Sequence, residues 1–145
     1  MYIECKDYLN SSAVYNLLER FDTSFDDPLH NEIDFDVYSE KLSLHAHFIL
    51  AYEEGELMGF IAYYINKEKC HVYIPLIVVH KEGRHRGIGH NMLSSLWEKL
   101  PVGIEQISLE VKEANDNARN FYQREGFFVL LNTNKGKLLL NKSIK

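Results

Sequence analysis

A glycine-containing stretch between an apolar run and a helix-like run constrains this chain more than any other part of the sequence. The stretch is Arg84-His85-Arg86-Gly87-Ile88-Gly89; Ile74 to Val79 precedes it and His90 to Leu100 follows it. That order predicts a strand, a turn and a helix. The turn and the first helical turn present backbone N–H groups without partners inside the helix, and the helix dipole adds partial positive charge. The sequence therefore predicts an anion site for a phosphorylated small ligand.

Two other familiar glycine loops fit the spacing poorly. A P-loop ends in Gly-Lys-Ser/Thr, whereas Gly89 is followed by His90 and Asn91. A dinucleotide fingerprint needs a third glycine three residues after the second, and that position is Met92. What remains is Arg-x-x-Gly-x-Gly after a strand, in which the two glycines let a phosphate approach the main chain. A nucleotide-binding module that uses this loop for ATP stays open as an alternative.

Another pattern lies downstream, in the sequence Asn115-Asp116-Asn117-Ala118-Arg119-Asn120-Phe121-Tyr122-Gln123-Arg124-Glu125-Gly126-Phe127. Its first or second residue can cap a helix. Asn115, Ala118 and Tyr122 are spaced so that they share one helix face. Gly126 suits a left-handed cap that ends the helix. An amphipathic helix with a core tyrosine would explain the glycine, but not the shared face of an asparagine, an alanine and a tyrosine.

Together the two patterns resemble the GNAT family of N-acetyltransferases. The glycine stretch is similar to the acetyl-CoA pyrophosphate loop of that family, Gln/Arg-x-x-Gly-x-Gly/Ala. The downstream pattern is similar to its Asn-x-x-Ala-x-x-Phe/Leu-Tyr-x-x-x-Gly-Phe motif, and both stand in the family's order. The resemblance implies an acetyl-CoA-dependent N-acetyltransferase, with acetyl-CoA as co-substrate and a primary amine as acceptor.

Hydrophobic patterning independently predicts the element order β-α-α-β-β-β-α-β-α-β-β, which is that of the GNAT fold. The resemblance implies the fold class α/β (α+β): a mixed, mostly antiparallel central sheet of about seven strands, with helices on both faces and splayed fourth and fifth strands. Ser11 or Ser12 is expected to cap the first helix, and Asp34 the second. The inward residues of the second helix are expected to be Val37, Tyr38, Leu42 and Leu44.

Length and composition limit the remaining possibilities. A chain of 145 residues predicts one domain, residues 1–145. Its net charge of −5 argues against nucleic acid as a partner. Short apolar runs and an N-terminus without a signal-like stretch predict a cytoplasmic protein with no membrane partner. Cys5 and Cys70 are too few for a disulfide framework, His45 and His47 lack a third metal ligand, and a monomer or homodimer is expected.

The resemblance implies a role for each matching residue. Tyr122 would be the general acid that protonates the leaving thiolate, Asn115 would hydrogen-bond the cofactor arm, and the small Ala118 would leave room beside it. The pantetheine arm would bond to main-chain groups of Ile77, Val78 and Val79. The pyrophosphate would lie on the backbone amides of Arg84, His85, Arg86, Gly87, Ile88, Gly89 and His90.

The general base is left open by the sequence. Tyr73 stands where histone-modifying members of the family carry a glutamate, so their base is missing, and Tyr73 is instead a candidate for lining the acceptor pocket. Candidates for the base are His71, His80 and Glu110, each of which could equally be a solvated residue at a strand end.

The acceptor is also open. In the family, the region from Asp22 to Asp36 supplies the acceptor pocket. The segment from Ser24-Phe25-Asp26-Asp27-Pro28-Leu29 through Tyr38-Ser39-Glu40-Lys41-Leu42 resembles members in bacterial surface-polysaccharide pathways, which implies an amino-sugar acceptor. Protein lysines, polyamines, amino acids and aminoglycosides are alternatives, and a non-catalytic acyl-CoA-binding or sensing domain is the alternative to an enzyme. Candidates for gripping a cationic amine are Phe21, Phe25, Asp26, Asp27 and Phe35.

Overall fold

The computed structural model describes residues 1–25 and 27–143, which form seven strands and four α-helices. The element order is the one that the patterning predicted. The strands are β1 (Tyr2–Lys6), β2 (His47–Glu53), β3 (Glu56–Asn66), β4 (His71–Val79), β5 (Gln106–Lys112), β6 (Phe128–Asn132) and β7 (Lys137–Ser143). The helices are α1 (Ser11–Arg20), α2 (Phe35–His45), α3 (Ile88–Lys99) and α4 (Asp116–Arg124).

The strands form a mixed sheet in which neighbours hydrogen-bond in the order β1-β2-β3-β4-β5-β7-β6. The β4–β5 ladder is parallel, whereas β1–β2, β2–β3, β5–β7 and β6–β7 are antiparallel, which confirms the predicted fold class. The chain groups into two compact units. The first comprises Met1–Tyr63 and Leu76–Lys99; the second comprises Tyr64–Pro75 and the described residues from Leu100 onward. Strand β4 contributes residues to both units.

The core of the first unit is apolar on both faces of its central strands. Helix α1 buries Val14, Leu17 and Leu18, and Phe21 follows them with its ring 5.3 Å from that of Phe60 on β3. Helix α3 packs against β2. Burying such side chains stabilises a fold by about 1.5–3 kcal/mol each relative to exposure. Other fully buried residues of this unit are Phe48, Ile49, Ile61, Leu42, Ile88, Met92, Leu93 and Leu96.

The start of α1 differs from the prediction. The cap is Asn10, whose Oδ1 accepts a hydrogen bond from the amide of Ala13 at 2.9 Å. Ser11 and Ser12, predicted as caps, are the first two helical residues. Asparagine and serine are similarly good caps, so a run of three cap-type residues does not identify which one ends the extended segment.

The inward face of α2 was partly mispredicted. Asp34 caps the helix as expected, and Leu42 is buried. Val37 and Leu44 are 66% and 77% exposed, so their assignment to the core was wrong. The small residues Ser39 and Ser43 are buried beside Leu42 instead, at the i, i+3, i+4 spacing of one helix face. Ser39 donates to the carbonyl of Asp36 and Ser43 to the hydroxyl of Tyr8, which satisfies their hydroxyls.

The second unit is built on alternation along β5. Ile107, Leu109 and Val111 are buried on one face, and Leu138 and Leu140 of β7 are buried with them. The parallel ladder joins four residue pairs, from His71–Gln106 to Ile74–Leu109. Strand β6 is exposed along its whole length.

Both cysteines are free thiols; Cys5 is exposed and Cys70 is half-buried. Cys70 directly precedes β4 and has a φ of 54°. Over residues 1–25 and 27–143, none of the helices combines the length and apolar character that crossing a bilayer requires.

Candidate active site

The loop after β4 begins with a short 3₁₀ turn, Lys81–Gly83. The amide of His80 donates to the carbonyl of Met58 at 2.7 Å, which ties the chain leaving β4 to the beginning of β3. The Nδ1 atom of His80 then accepts a hydrogen bond from the amide of Glu82 at 3.2 Å. His80 is therefore the capping residue of this turn.

The backbone between Arg84 and Gly87 contains two residues in the left-handed conformation. Arg84 is extended, while His85 and Gly87 have φ values of 66° and 79°. A left-handed histidine costs on the order of 1 kcal/mol, and such residues concentrate at functional sites. Turns that contain left-handed residues can direct successive amides into one concavity, which is a common way to bind anions.

Gly87 combines a required conformation with open space. Its positive φ disfavours any residue with a Cβ atom, and a Cβ there would meet only Asn91 Nδ2, at 4.0 Å. The first helical hydrogen bond of α3 runs from the amide of Asn91 to the carbonyl of Gly87 at 2.9 Å. The amides of Ile88 and Gly89 thus belong to the first turn, whose N–H groups point out of the helix. This arrangement fits a diphosphate.

Two arginines of the loop have intramolecular partners. The guanidinium of Arg84 donates to the main-chain carbonyls of Val79 and Ser24. Arg86 forms an exposed ion pair with Glu53 at 3.6 Å. Exposed pairs contribute about 0–1 kcal/mol, so Arg86 can exchange this partner for a ligand at little cost. Arg84 has the more structural role, because it ties the loop to the carbonyl of a buried residue.

The downstream motif begins at the cap of α4. The Oδ1 atom of Asn115 accepts a hydrogen bond from the amide of Ala118 at 3.1 Å, so Asn115 is the N-cap, as the sequence predicted. The amide nitrogen of its side chain points away from this bond and is the donor that the residue can offer to a ligand. Ala118 is half-buried one turn along the helix.

The end of α4 is a Schellman motif. The amide of Phe127 donates to the carbonyl of Tyr122 at 3.0 Å, and that of Gly126 to the carbonyl of Gln123 at 3.1 Å. Gly126 has a φ of 96°, the left-handed cap that the sequence predicted. Tyr122 is 8% exposed, with its ring edge-to-face against Phe121 at 5.2 Å and Phe127 at 5.7 Å. Burial raises the pKa of the Tyr122 phenol above its ordinary value of 10, so the phenol carries its proton at neutral pH.

Two polar pairs lie on one face of the β4–β5 ladder. The hydroxyl of Tyr73 donates to Oε1 of Glu110 at 3.2 Å, and Nε2 of His71 lies 2.6 Å from Oγ of Ser108. Tyr73 is the register partner of Ser108, which puts both pairs on the same face. Burial, then the negative charge of Glu110, raises the pKa of Tyr73 to about 12. Burial, with Lys69 second, lowers the pKa of His71 below 6.5.

The sequence reasoning missed the partners in these pairs. Period-two alternation along β5 puts Ser108 and Glu110 on its polar face, and that signal was present in the sequence. Which residue of β4 stands beside each depends on the register between strands distant in sequence, which no local pattern gives.

One of the residues predicted to grip the acceptor belongs to the core. Phe21 is fully buried against Phe60, so it is not on a surface that an acceptor could touch. The ring of Phe35 meets that of Tyr15 edge-to-face at 5.8 Å. Asp27 is exposed, and Phe25 is half-buried. Asp26 lies outside the described residues.

Asp22 and His30 join two short turns in this region. The Asp22 carboxylate accepts hydrogen bonds from the His30 amide at 2.8 Å and its ring Nδ1 at 2.7 Å. Burial opposes ionisation of Asp22, but these bonds and the charge of His30 outweigh it and hold its pKa below 3.8. No group of three or more metal-binding side chains occurs in the described part of the chain.

The family of the chain follows from comparison with known proteins. The model of the acetyltransferase (GNAT) family matches residues 12–127. The chain therefore belongs to the GNAT family. It is an acetyltransferase, with acetyl-CoA as its co-substrate and an amine as its acceptor. A comparison with curated proteins gave no match.

Solved structures share the fold over nearly the whole chain. The structure of smu.2055 from Streptococcus mutans UA159 is 18% identical, covers 100% of both chains and has a TM-score of 0.79. The PaiA N-acetyltransferase from Thermoplasma acidophilum, in complex with coenzyme A, is 21% identical, with 99% of both chains covered and a TM-score of 0.73. The ribosomal-protein-S18-alanine N-acetyltransferase from Escherichia coli is 15% identical, covers 99% of this chain and 95% of its own, and has a TM-score of 0.75.

Proposed function

We propose that the chain moves an acetyl group from acetyl-CoA to a primary amine by direct attack, without an acyl-enzyme, with Tyr122 as general acid. The main observation behind this proposal is that Phe127 fixes the position of Tyr122 at the end of α4. The amide of Phe127 donates a hydrogen bond to the carbonyl of Tyr122, and the two rings pack edge-to-face. A proton donor must be fixed in place to act in a transition state. The family match over residues 12–127 supports a single catalytic domain.

The loop amides bind the diphosphate of the co-substrate. Main-chain N–H groups from Arg84 to His90 are the proposed donors, and the left-handed Gly87 supplies the open space for phosphate oxygens. Main-chain groups of Ile77, Val78 and Val79 receive the pantetheine arm. The side-chain amide nitrogen of Asn115 donates to the same arm, because its oxygen is already used by the helix cap.

Glu110 is the proposed general base. Position 73, where histone-modifying members of the family carry a glutamate, is a tyrosine in this chain. Glu110 on the neighbouring strand supplies a carboxylate instead, and the hydroxyl of Tyr73 orients it through a hydrogen bond. His80 is disfavoured, since its Nδ1 already accepts a backbone hydrogen bond. His71 is half-buried against Ser108, and burial together with Lys69 favours its neutral form, which makes it the alternative base.

The chemistry then follows from these groups. Glu110 removes a proton from the acceptor ammonium, and the neutral amine attacks the thioester carbonyl. The carbon–sulfur bond breaks, and Tyr122 donates its proton to the departing sulfur; the tyrosinate recovers a proton from the nitrogen that becomes the amide. One proton is released overall. Because burial raises the pKa of Tyr122, the phenol holds its proton until the departing sulfur takes it.

For the acceptor we propose an amino sugar, which the resemblance of the segments around Pro28 and Ser39 favours. The exposed carboxylates of Asp27 and Glu110 suit a cationic amine. Protein amines, polyamines, amino acids and aminoglycosides are the acceptors to compare with it.

The test is thiol release from acetyl-CoA in the presence of a panel of amines from these classes, with the amine-free rate subtracted. Amine-dependent release with an acetylated product of the expected mass supports the proposal. Tight binding of acetyl-CoA without amine-dependent release across the whole panel would establish a cofactor-binding or sensing domain instead.

A further inference from the structure

An open depression of about 530 Å³ lies beside strands β1 and β2 in the first unit. Its volume is within the range of small-molecule sites. None of its lining residues belongs to the groups assigned above to acetyl transfer. The lining residues are Met1, Tyr2, Glu4, Tyr52, Glu54 and Gly55.

Two tyrosines form one wall of this depression. Tyr2 and Tyr52 are direct cross-strand partners, so their side chains project from the same face of the β1–β2 ladder. Their ring centroids are 5.9 Å apart and the planes are tilted by 33°. Tyr2 is 61% exposed, so ring surface remains accessible. Aromatic ring faces attract cations that approach within about 6 Å, and organic ammonium ions are the ligands that grouped aromatic rings recognise.

Two carboxylates complete the lining. Glu4 lies two residues from Tyr2 on the same strand face, and Tyr52 donates a hydrogen bond to its Oε1 at 3.5 Å. Burial, then the charge of Glu4, raises the pKa of Tyr52, so the phenol stays neutral and keeps this bond. Glu54 lies in the tight turn between β2 and β3, with a φ of 51° followed by 80° at Gly55.

The carboxylates around the depression favour a positively charged ligand. Lys6 pairs with Oε2 of Glu4 at 3.8 Å, which offsets one carboxylate in part. Glu54 adds a second carboxylate beside the same rings. A cation gains from both the carboxylates and the ring faces, and the nearby Arg20 guanidinium, which acts against the rise in the pKa of Tyr52, offsets part of that gain.

We propose that this depression is a binding site for a small organic ammonium ion, distinct from the site of acetyl transfer. The ligand lies against the rings of Tyr2 and Tyr52, with its charge near Glu4 and Glu54. A quaternary ammonium group suits the rings best, and it has no N–H that could be acetylated. Occupancy of this site is therefore separable from turnover.

The experiment is a calorimetric titration of the full chain, without acetyl-CoA, with choline and with 3,3-dimethylbutan-1-ol. The second compound has the same shape as choline but carries no charge. Choline is expected to bind at least about tenfold more tightly, as cation–π attraction with partial desolvation predicts. Equal affinities, or no binding of choline up to its solubility limit, would overturn the proposal.

Variants locate the binding. Tyr52→Leu and Glu54→Gln are each expected to weaken choline binding severalfold, whereas Tyr52→Phe keeps the ring and most of the affinity. Tyr8→Leu, a substitution of another exposed tyrosine, is the control and should leave the affinity for choline unchanged. Unchanged affinity in both Tyr52→Leu and Glu54→Gln would overturn the assignment. If Tyr52→Leu fails to fold, as thermal unfolding would reveal, Glu54→Gln decides the matter, because its position is in an exposed turn.

Discussion

The amide of Phe127 donates to the carbonyl of Tyr122 at 3.0 Å, and the rings of these two residues meet edge-to-face at 5.7 Å. The same pair therefore ends helix α4 and orients the proposed general acid. In Schellman motifs an apolar contact often accompanies the capping hydrogen bond, and here that contact involves the tyrosine of the family motif. A change at position 127 should consequently affect both stability and catalysis.

Phe127→Leu is the first test. It keeps an apolar side chain but removes the edge-to-face contact, so we expect the free energy of unfolding to fall by about 1–1.5 kcal/mol. We also expect kcat to fall, because the ring of Tyr122 loses a neighbour. Urea unfolding and thiol-release kinetics measure the two effects. Phe128→Leu, at the exposed next position, is the matched control and should leave both nearly unchanged; equal effects of the two substitutions would contradict this role of Phe127.

Gly87→Glu tests the diphosphate site. The substitution places negative charge and bulk in the open space of the loop, and we expect the Kd for coenzyme A to rise by at least about 100-fold. Gly55→Glu is the control, since Gly55 has nearly the same φ, 80° against 79°, and equally open surroundings in a different turn. Both variants carry similar backbone strain, so a difference in coenzyme A affinity reports the site alone. Equal affinities would mean that the diphosphate binds elsewhere.

Much of the fold was predictable because it depends on local signals. The Asp34 cap and the left-handed Gly126 each follow from a few neighbouring residues, and both are confirmed. The inward face of α2 was not predictable in the same way. Its apolar residues Val37 and Leu44 point outward, and what decides the face is packing against α1, which brings small serines inward.

Glu110→Gln tests the proposed base. An amide cannot take the proton from the acceptor, so we expect kcat to fall by about 10²-fold at neutral pH. Raising the pH should restore part of the rate, because a larger fraction of the acceptor amine then loses its proton in solution. Tyr73→Phe should have a smaller effect, since it removes only the orienting hydrogen bond. Glu68→Gln, in an exposed turn, is the control and should keep full activity. If Glu110→Gln were fully active and His71→Gln inactive, the general base would be His71 instead of Glu110.

His71 predicts a pH dependence of stability. Burial and Lys69 lower its pKa in the folded chain below the ordinary 6.5. As pH falls below that value, the unfolded chain takes up a proton that the folded chain does not, so this contribution to stability is present above 6.5 and is lost on acidification. Urea unfolding at pH about 7.5 and about 5.5 should therefore show a smaller loss for His71→Gln than for the wild type. An equal loss of unfolding free energy in both proteins would show that His71 does not contribute to the pH dependence of stability. His45→Gln is the control and should lose as much stability on acidification as the wild type.

The candidate site was predictable where it is contiguous in sequence. The loop around Gly87 and the helix with Asn115 and Tyr122 each have the local conformation that their motifs implied. The pairing of Tyr73 with Glu110 was not predictable, because it depends on the register of two parallel strands joined by a long crossover. The hydrogen bonds from the Arg84 side chain to main-chain carbonyls could not be predicted from the sequence either, because one partner, Ser24, is far away in sequence.

The most direct test of the account is Tyr122→Phe, with kcat for amine acetylation and the Kd for coenzyme A measured on the same preparation. Phenylalanine keeps the ring contacts with Phe121 and Phe127 and removes only the hydroxyl. We predict that kcat falls by about 100-fold, while the Kd for coenzyme A changes by less than about twofold. An unchanged kcat in this variant would contradict the assignment of Tyr122 as the general acid.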